Sequence, residues 1–149
     1  MAGIEVIFFD IGQTLAAAHL NAAGRLDSLE PLPGVLDVLG RLRDAGYRLG
    51  IISNTGEETS EIMRHALTNA GLYPFFASES RLLIYSSEVH MTKNSPDIFR
   101  LACKRAGRDL QPQRCLFVGE DESERKFASK AGLQVAATPS DAAQELDQH

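Results

Sequence analysis

The chain has 149 residues, with 20 acidic and 15 basic side chains and a net charge of -5. That length supports one domain with a real core and not two ordinary ones, so residues 1–149 read as a single unit. The acidic balance argues against nucleic acid and against anionic membranes as partners.

The opening MAGIEVIFFD lacks a basic stretch and runs directly into an apolar segment ending in an acid. Neither a signal peptide nor a membrane span is expected there, and a cytoplasmic location follows by default. The run Val6 to Leu15, VIFFDIGQTL, reads as a buried strand that carries one carboxylate, Asp10, to its C-terminal end, followed by Gly12, Gln13 and Thr14. Ala16 to Pro33 is weakly periodic and reads as a loop or short hairpin. Pro33 and Gly34 open an amphipathic helix marked by Val35, Leu39 and Leu42, closed by Gly46. Tyr47 to Ile52 is a second strand emptying into Ser53, Asn54 and Thr55, residues able to cap the next helix, roughly Glu57 to Ala70.

LLIY, ending at Tyr85, is a short third strand, and SSEVHMTK a polar connection. Ser95 and Pro96 suit the N-cap and first position of a helix whose apolar face is Ile98, Phe99, Ala102, Cys103 and Ala106. Cys103 and Cys115 both lie in apolar patterns and read as reduced core residues. Cys115 to Val118 is a buried strand running into the acidic turn GEDESE. A helix at about Ser123 to Ala131, a fifth strand at Leu133 to Ala137 and a helical turn or two in SDAAQELDQH complete the chain. Ala-Gly pairs at 45–46, 70–71, 106–107 and 131–132 end four helices, each glycine suiting the left-handed position after a helix.

This alternation predicts an α/β fold, a five-stranded, mostly parallel sheet with helices on both faces. The C-terminal edge of the sheet then collects Asp10, Gly12 and Thr14 with Ser53, Asn54, Lys93, Glu120, Asp121 and Glu124. An acid that can attack, hydroxyls and a lysine that can hold an anion, and acids that can hold a divalent cation together suit phosphoryl transfer. Each piece also has an ordinary structural use: Ser53-Asn54 as a helix cap, Lys93 as a solvated lysine, residues 120–124 as an acid-rich helix start.

These motifs resemble the haloacid dehalogenase (HAD) superfamily, from Ile4 to about Thr138. The resemblance lies in Asp10-Ile11-Gly12-Gln13-Thr14, in Ser53-Asn54, in SSEV followed by Lys93, and in Gly119-Glu120 with Glu124. It implies a Rossmann-like three-layer fold and a Mg²⁺-dependent phosphatase in which Asp10 becomes an aspartyl-phosphate. Lys93 would steady Asp10 and, with Thr14, Ser53 and Asn54, bind the phosphoryl group. Asp10, the Gly12 carbonyl, Glu120 and Glu124 would form the metal site, with Asp121 as an alternative ligand.

Gly12 departs from the family pattern, which has an Asp there to protonate the leaving group and then activate water. Such assistance is worth roughly 10² to 10⁴ in rate. Gln13 cannot replace it, and His19 is the nearest titratable candidate. Both acids of the fourth motif are Glu in place of Asp, which preserves charge and lengthens the arm. Residues 16–33 are too short for a helical cap, so the site should be open, covered by a large phosphorylated substrate or by a second subunit. A domain that binds a phosphorylated ligand without turnover, and a dehalogenase, are the alternatives to a phosphatase acting on good leaving groups such as acyl or aryl phosphates.

Overall fold

Every residue of β1 (Val6–Phe9) is fully buried, as a strand covered on both faces by helices must be. The computed structural model describes residues 3–147. Residues 1–2 of the opening segment and 148–149 of the last helical turns lie outside the described residues. β1 pairs in parallel with β4 (Arg48–Ser53) on one side and β6 (Cys115–Val118) on the other. β5 (Leu83–Tyr85) and β7 (Gln134–Ala136) extend the sheet, giving the order β5-β4-β1-β6-β7, parallel throughout.

Alternation along β1 divides the core. Ile7 and Phe9 face a layer made by α1 (Val35–Asp44), α2 (Ser60–Asn69) and α6 (Pro139–Asp147), with Leu39, Leu67 and Leu146 among its contacts. Val6 and Phe8 face α4 (Asp97–Ala106) and α5 (Glu122–Lys130), where Phe99 and Phe117 meet edge to face at 5.0 Å. Cys103 and Cys115 are both free and buried in this second cluster. No helix among the described residues is long and apolar enough to cross a membrane.

Residues 16–33 form an antiparallel hairpin, β2 (Ala16–Leu20) and β3 (Leu26–Pro31), in place of a helical cap. SSEV, read as a polar connection, is the short helix α3 (Ser86–Val89). The C-terminal segment is a nine-residue helix, longer than the turn or two expected.

α2 begins at Ser60, later than expected, because the Thr59 hydroxyl accepts the Ile62 N–H at 3.2 Å; Ser53, Asn54 and Thr55 do not cap it. Gly46, Gly71 and Gly132 take the left-handed conformation after their helices. Gly107 does not: its φ of -179° is extended backbone, and a Cβ there would lie 3.2 Å from the Leu110 side chain.

Candidate active site

Asp10 follows β1 directly, with its backbone N–H bonded to the Val118 carbonyl at 2.9 Å, so the sheet sets the height of its side chain. Gly119 leaves room beside it. A Cβ on Gly119 would lie 2.8 Å from the Phe117 ring and 3.5 Å from the Asp10 Cβ.

Lys93 is the buried partner. Its side chain is 2% exposed, and Nζ lies 2.5 Å from Asp10 Oδ1, 2.7 Å from Glu124 Oε1 and 5.8 Å from the centre of the Phe117 ring. One ammonium thus answers two carboxylates, with an aromatic face as a further favourable contact. Burial pushes the Glu124 carboxyl above its ordinary value of 4.5, against the opposing pull of Lys93.

A lysine cannot reach this depth from a solvated loop unless its backbone is fixed, and three devices fix it. Asn54 Oδ1 accepts the Lys93 N–H at 3.0 Å. His90, after α3, turns the chain back in the left-handed conformation at φ 57°. α3 itself is tied to the loop after β4: Ser86 Oγ accepts the Thr55 N–H at 2.8 Å, Thr55 and Ser87 share a hydroxyl contact at 2.8 Å, and Ser87 donates to the Glu58 carbonyl at 2.5 Å.

The other candidates fall on the same edge with different duties. Ser53 ends β4 and is buried. Thr14 is also buried, and its hydroxyl accepts the Glu120 N–H at 3.2 Å, joining the loop after β1 to the loop after β6. Gly12 is exposed, outside the left-handed region, and has no heavy atom within 4 Å of where a Cβ would stand. Glu120 is exposed at the same rim.

Asp121 is engaged as the N-cap of α5: its Oδ1 accepts the Ser123 and Glu124 N–H groups and the Ser123 hydroxyl, which holds its carboxyl below the ordinary range. Arg125 donates to the Gly119 carbonyl at 2.7 Å and braces this turn. His19 sits on the exposed side of the hairpin, paired with Glu30 at 3.2 Å. Thr55, Ser86, Ser87 and Arg125 brace the loops that carry these residues, a part that sequence reasoning missed. For Thr55, Ser86 and Ser87 the one local trace is the clustering of hydroxyl residues in SNTG and SSEV.

Asp10 and Glu124 set two carboxylates against one lysine, an excess of negative charge that an entering phosphoryl group would increase. The Asp10 carboxylate, the Gly12 carbonyl and the Glu120 carboxylate are hard oxygen donors of the kind Mg²⁺ takes while keeping several waters. Among the described residues no three His, Cys, Asp or Glu side chains form a ready cage, which Mg²⁺ does not require. The donor set therefore fits this ion.

A haloacid dehalogenase-like hydrolase family model matches residues 6–132, and the chain belongs to that family. An N-acetylmuramic acid 6-phosphate phosphatase of Pseudomonas aeruginosa is 29% identical over 107 residues, which are 72% of this chain and 43% of that protein. A glyceraldehyde 3-phosphate phosphatase of Methanothermobacter thermautotrophicus is 32% identical over 110 residues, 72% of this chain and 44% of that protein. The chain thus spans less than half the length of these curated relatives. A HAD-superfamily hydrolase of subfamily IA from Geobacter sulfurreducens superposes with a TM-score of 0.73, covering 98% of this chain and all of that one; at 15% identity this likeness speaks for the fold.

Proposed function

We propose that the chain is a Mg²⁺-dependent phosphatase that acts through Asp10 and favours substrates with good leaving groups. The observation that carries this reading is the buried Asp10–Lys93–Glu124 array at the C-terminal edge of the sheet. Lys93 Nζ holds Oδ1 of Asp10 and fixes where the carboxylate points, leaving the second oxygen for chemistry.

That oxygen attacks phosphorus, the bond from phosphorus to the leaving oxygen breaks, and the leaving group departs with the bonding pair. Water then attacks the phosphorus of the aspartyl-phosphate, phosphate is released and the Asp10 carboxylate is restored. Ser53 and Lys93 bind the phosphoryl oxygens; Asn54 and Thr14 act as positioning residues through Lys93 and the Glu120 backbone. Mg²⁺ held by Asp10, the Gly12 carbonyl and Glu120 would supply the positive charge that offsets the phosphoryl group. Glu124 acts through Lys93. Since residue 12 offers no proton, an aryloxide or acyl anion leaves more readily than an alkoxide.

Acetyl phosphate and 4-nitrophenyl phosphate test this directly. The wild type is expected to release inorganic phosphate with Mg²⁺, to stop on chelation and to resume when Mg²⁺ is restored, whereas Asp10→Asn is expected to be inert. Turnover that survives Asp10→Asn would remove Asp10 from the role. Phosphate binding without turnover would favour a domain that recognises phosphorylated ligands.

A further inference from the structure

A cavity of about 340 Å³ lies between the β2–β3 hairpin and the loop after β4, and it shares Gly12, Ser53 and Asn54 with the site. Its volume is at the small end of the roughly 300–1,000 Å³ typical of small-molecule sites. The hairpin wall is apolar because strand alternation turns one side of β2 inward. Ala18 pairs with Leu29 and Leu20 with Leu26, all four line the cavity, and Met63 of α2 lines it as well. His19, between Ala18 and Leu20, is not among the lining residues.

The polar side of the cavity carries more negative than positive charge. Arg25 lies 2.6 Å from Glu58 through Nε and 3.7 Å from Glu57 through Nη1. The hydrogen bond from Arg25 holds the Glu58 carboxyl below its ordinary range, so it stays ionised. Arg25 and the Leu26 N–H both reach Glu58 Oε1, which latches the hairpin tip to the loop bearing Ser53 and Asn54. One guanidinium between two carboxylates has no spare charge for an anionic ligand.

We propose that this cavity is the leaving-group pocket and that it takes a small, uncharged, apolar group, an aryl ring in particular, while turning away substrates that carry a second anion. The proposal rests on the phosphatase reading for its substrate and deepens it. Apolar walls beside Gly12, Ser53 and Asn54 bind the ring, and no heavy atom lies within 4 Å of where a Cβ on Gly12 would stand at the cavity's edge. An aryloxide, like an acyl anion, also leaves more readily than an alkoxide when residue 12 supplies no proton.

Leu20 is 61% exposed, so Leu20→Lys alters the pocket wall without opening the core. Leu36→Lys, at an exposed position on α1 away from the cavity, serves as the matched control. The chain has no tryptophan, so the fluorescence of 2-naphthol reports binding cleanly. The wild type and Leu36→Lys are expected to bind 2-naphthol saturably and Leu20→Lys about tenfold more weakly.

For turnover, the ratio of kcat/KM for 2-naphthyl phosphate to that for acetyl phosphate is expected to fall about tenfold in Leu20→Lys alone. Phenyl phosphate should exceed 4-carboxyphenyl phosphate in wild-type kcat/KM. Absent 2-naphthol binding, or binding and ratios unmoved by Leu20→Lys, overturns the pocket while acetyl phosphate hydrolysis leaves the phosphatase standing. Weakened 2-naphthol binding in Leu20→Lys with no phosphate ester turned over supports the pocket and overturns the phosphatase.

Discussion

Gly12→Asp is expected to raise hydrolysis of simple alkyl phosphates by about 10² to 10⁴, the usual worth of a positioned acid-base group. The backbone accepts the change. Gly12 lies outside the left-handed region and a Cβ there would meet no atom within 4 Å, so the backbone is unstrained and the first atom of the new side chain has room. For acetyl phosphate, whose leaving group needs no proton, the gain is expected in kcat, through faster hydrolysis of the aspartyl-phosphate, and not in kcat/KM. A steady-state comparison of glycerol phosphate with acetyl phosphate measures both effects. An alkyl phosphate rate unchanged by the substitution would show that the missing acid is not what limits this site.

Lys93→Met is expected to abolish turnover and to lower stability by about 3 kcal/mol at neutral pH, as removing one partner from a buried ion pair does. The side chain is 2% exposed and its ammonium stands between Asp10 and Glu124, so the variant leaves two carboxylates facing each other with no cation. The deficit is expected to depend on pH. Burial already raises Glu124 above 4.5, and losing Lys93 removes the opposing pull. The folded variant then keeps a proton on Glu124 that the unfolded chain releases, so its stability rises as pH falls from neutrality toward 4.5. Urea unfolding across that window checks the sign; a deficit constant with pH would mean that the two carboxylates are not coupled through Lys93.

Much of this architecture was legible in the residues. The four apolar residues ending at Asp10, and the similar run ending at Gly119, could form only strands covered on both faces, and their polar continuations had to meet at one edge. Asp10 and Lys93 were readable as a pair through the resemblance to a family.

The loop chemistry was much less legible. SNTGEETS offers several capping residues in a row, and local propensity does not distinguish Thr59, which caps α2, from Asn54, which holds Lys93. SSEV is too short to show a helical period, so α3 passed for a connection although it anchors the Lys93 loop. The Arg25–Glu58 latch joins residues far apart in sequence and leaves no local pattern. Asp121 reads equally as a ligand or a cap until its hydrogen bonds are seen.

The central proposal is that Asp10 carries the phosphoryl group. With a good leaving group the first step is fast, and Gly12 provides no base for the second, so the aspartyl-phosphate should accumulate. Intact-mass and peptide mass spectrometry after acid quenching of the protein with acetyl phosphate and Mg²⁺ tests this most directly. The account predicts one added phosphoryl group, on Asp10, present in the wild type, absent in Asp10→Asn and depleted in Gly12→Asp. A phosphoryl group found on another residue, or wild-type turnover with no Asp10 adduct, would contradict it.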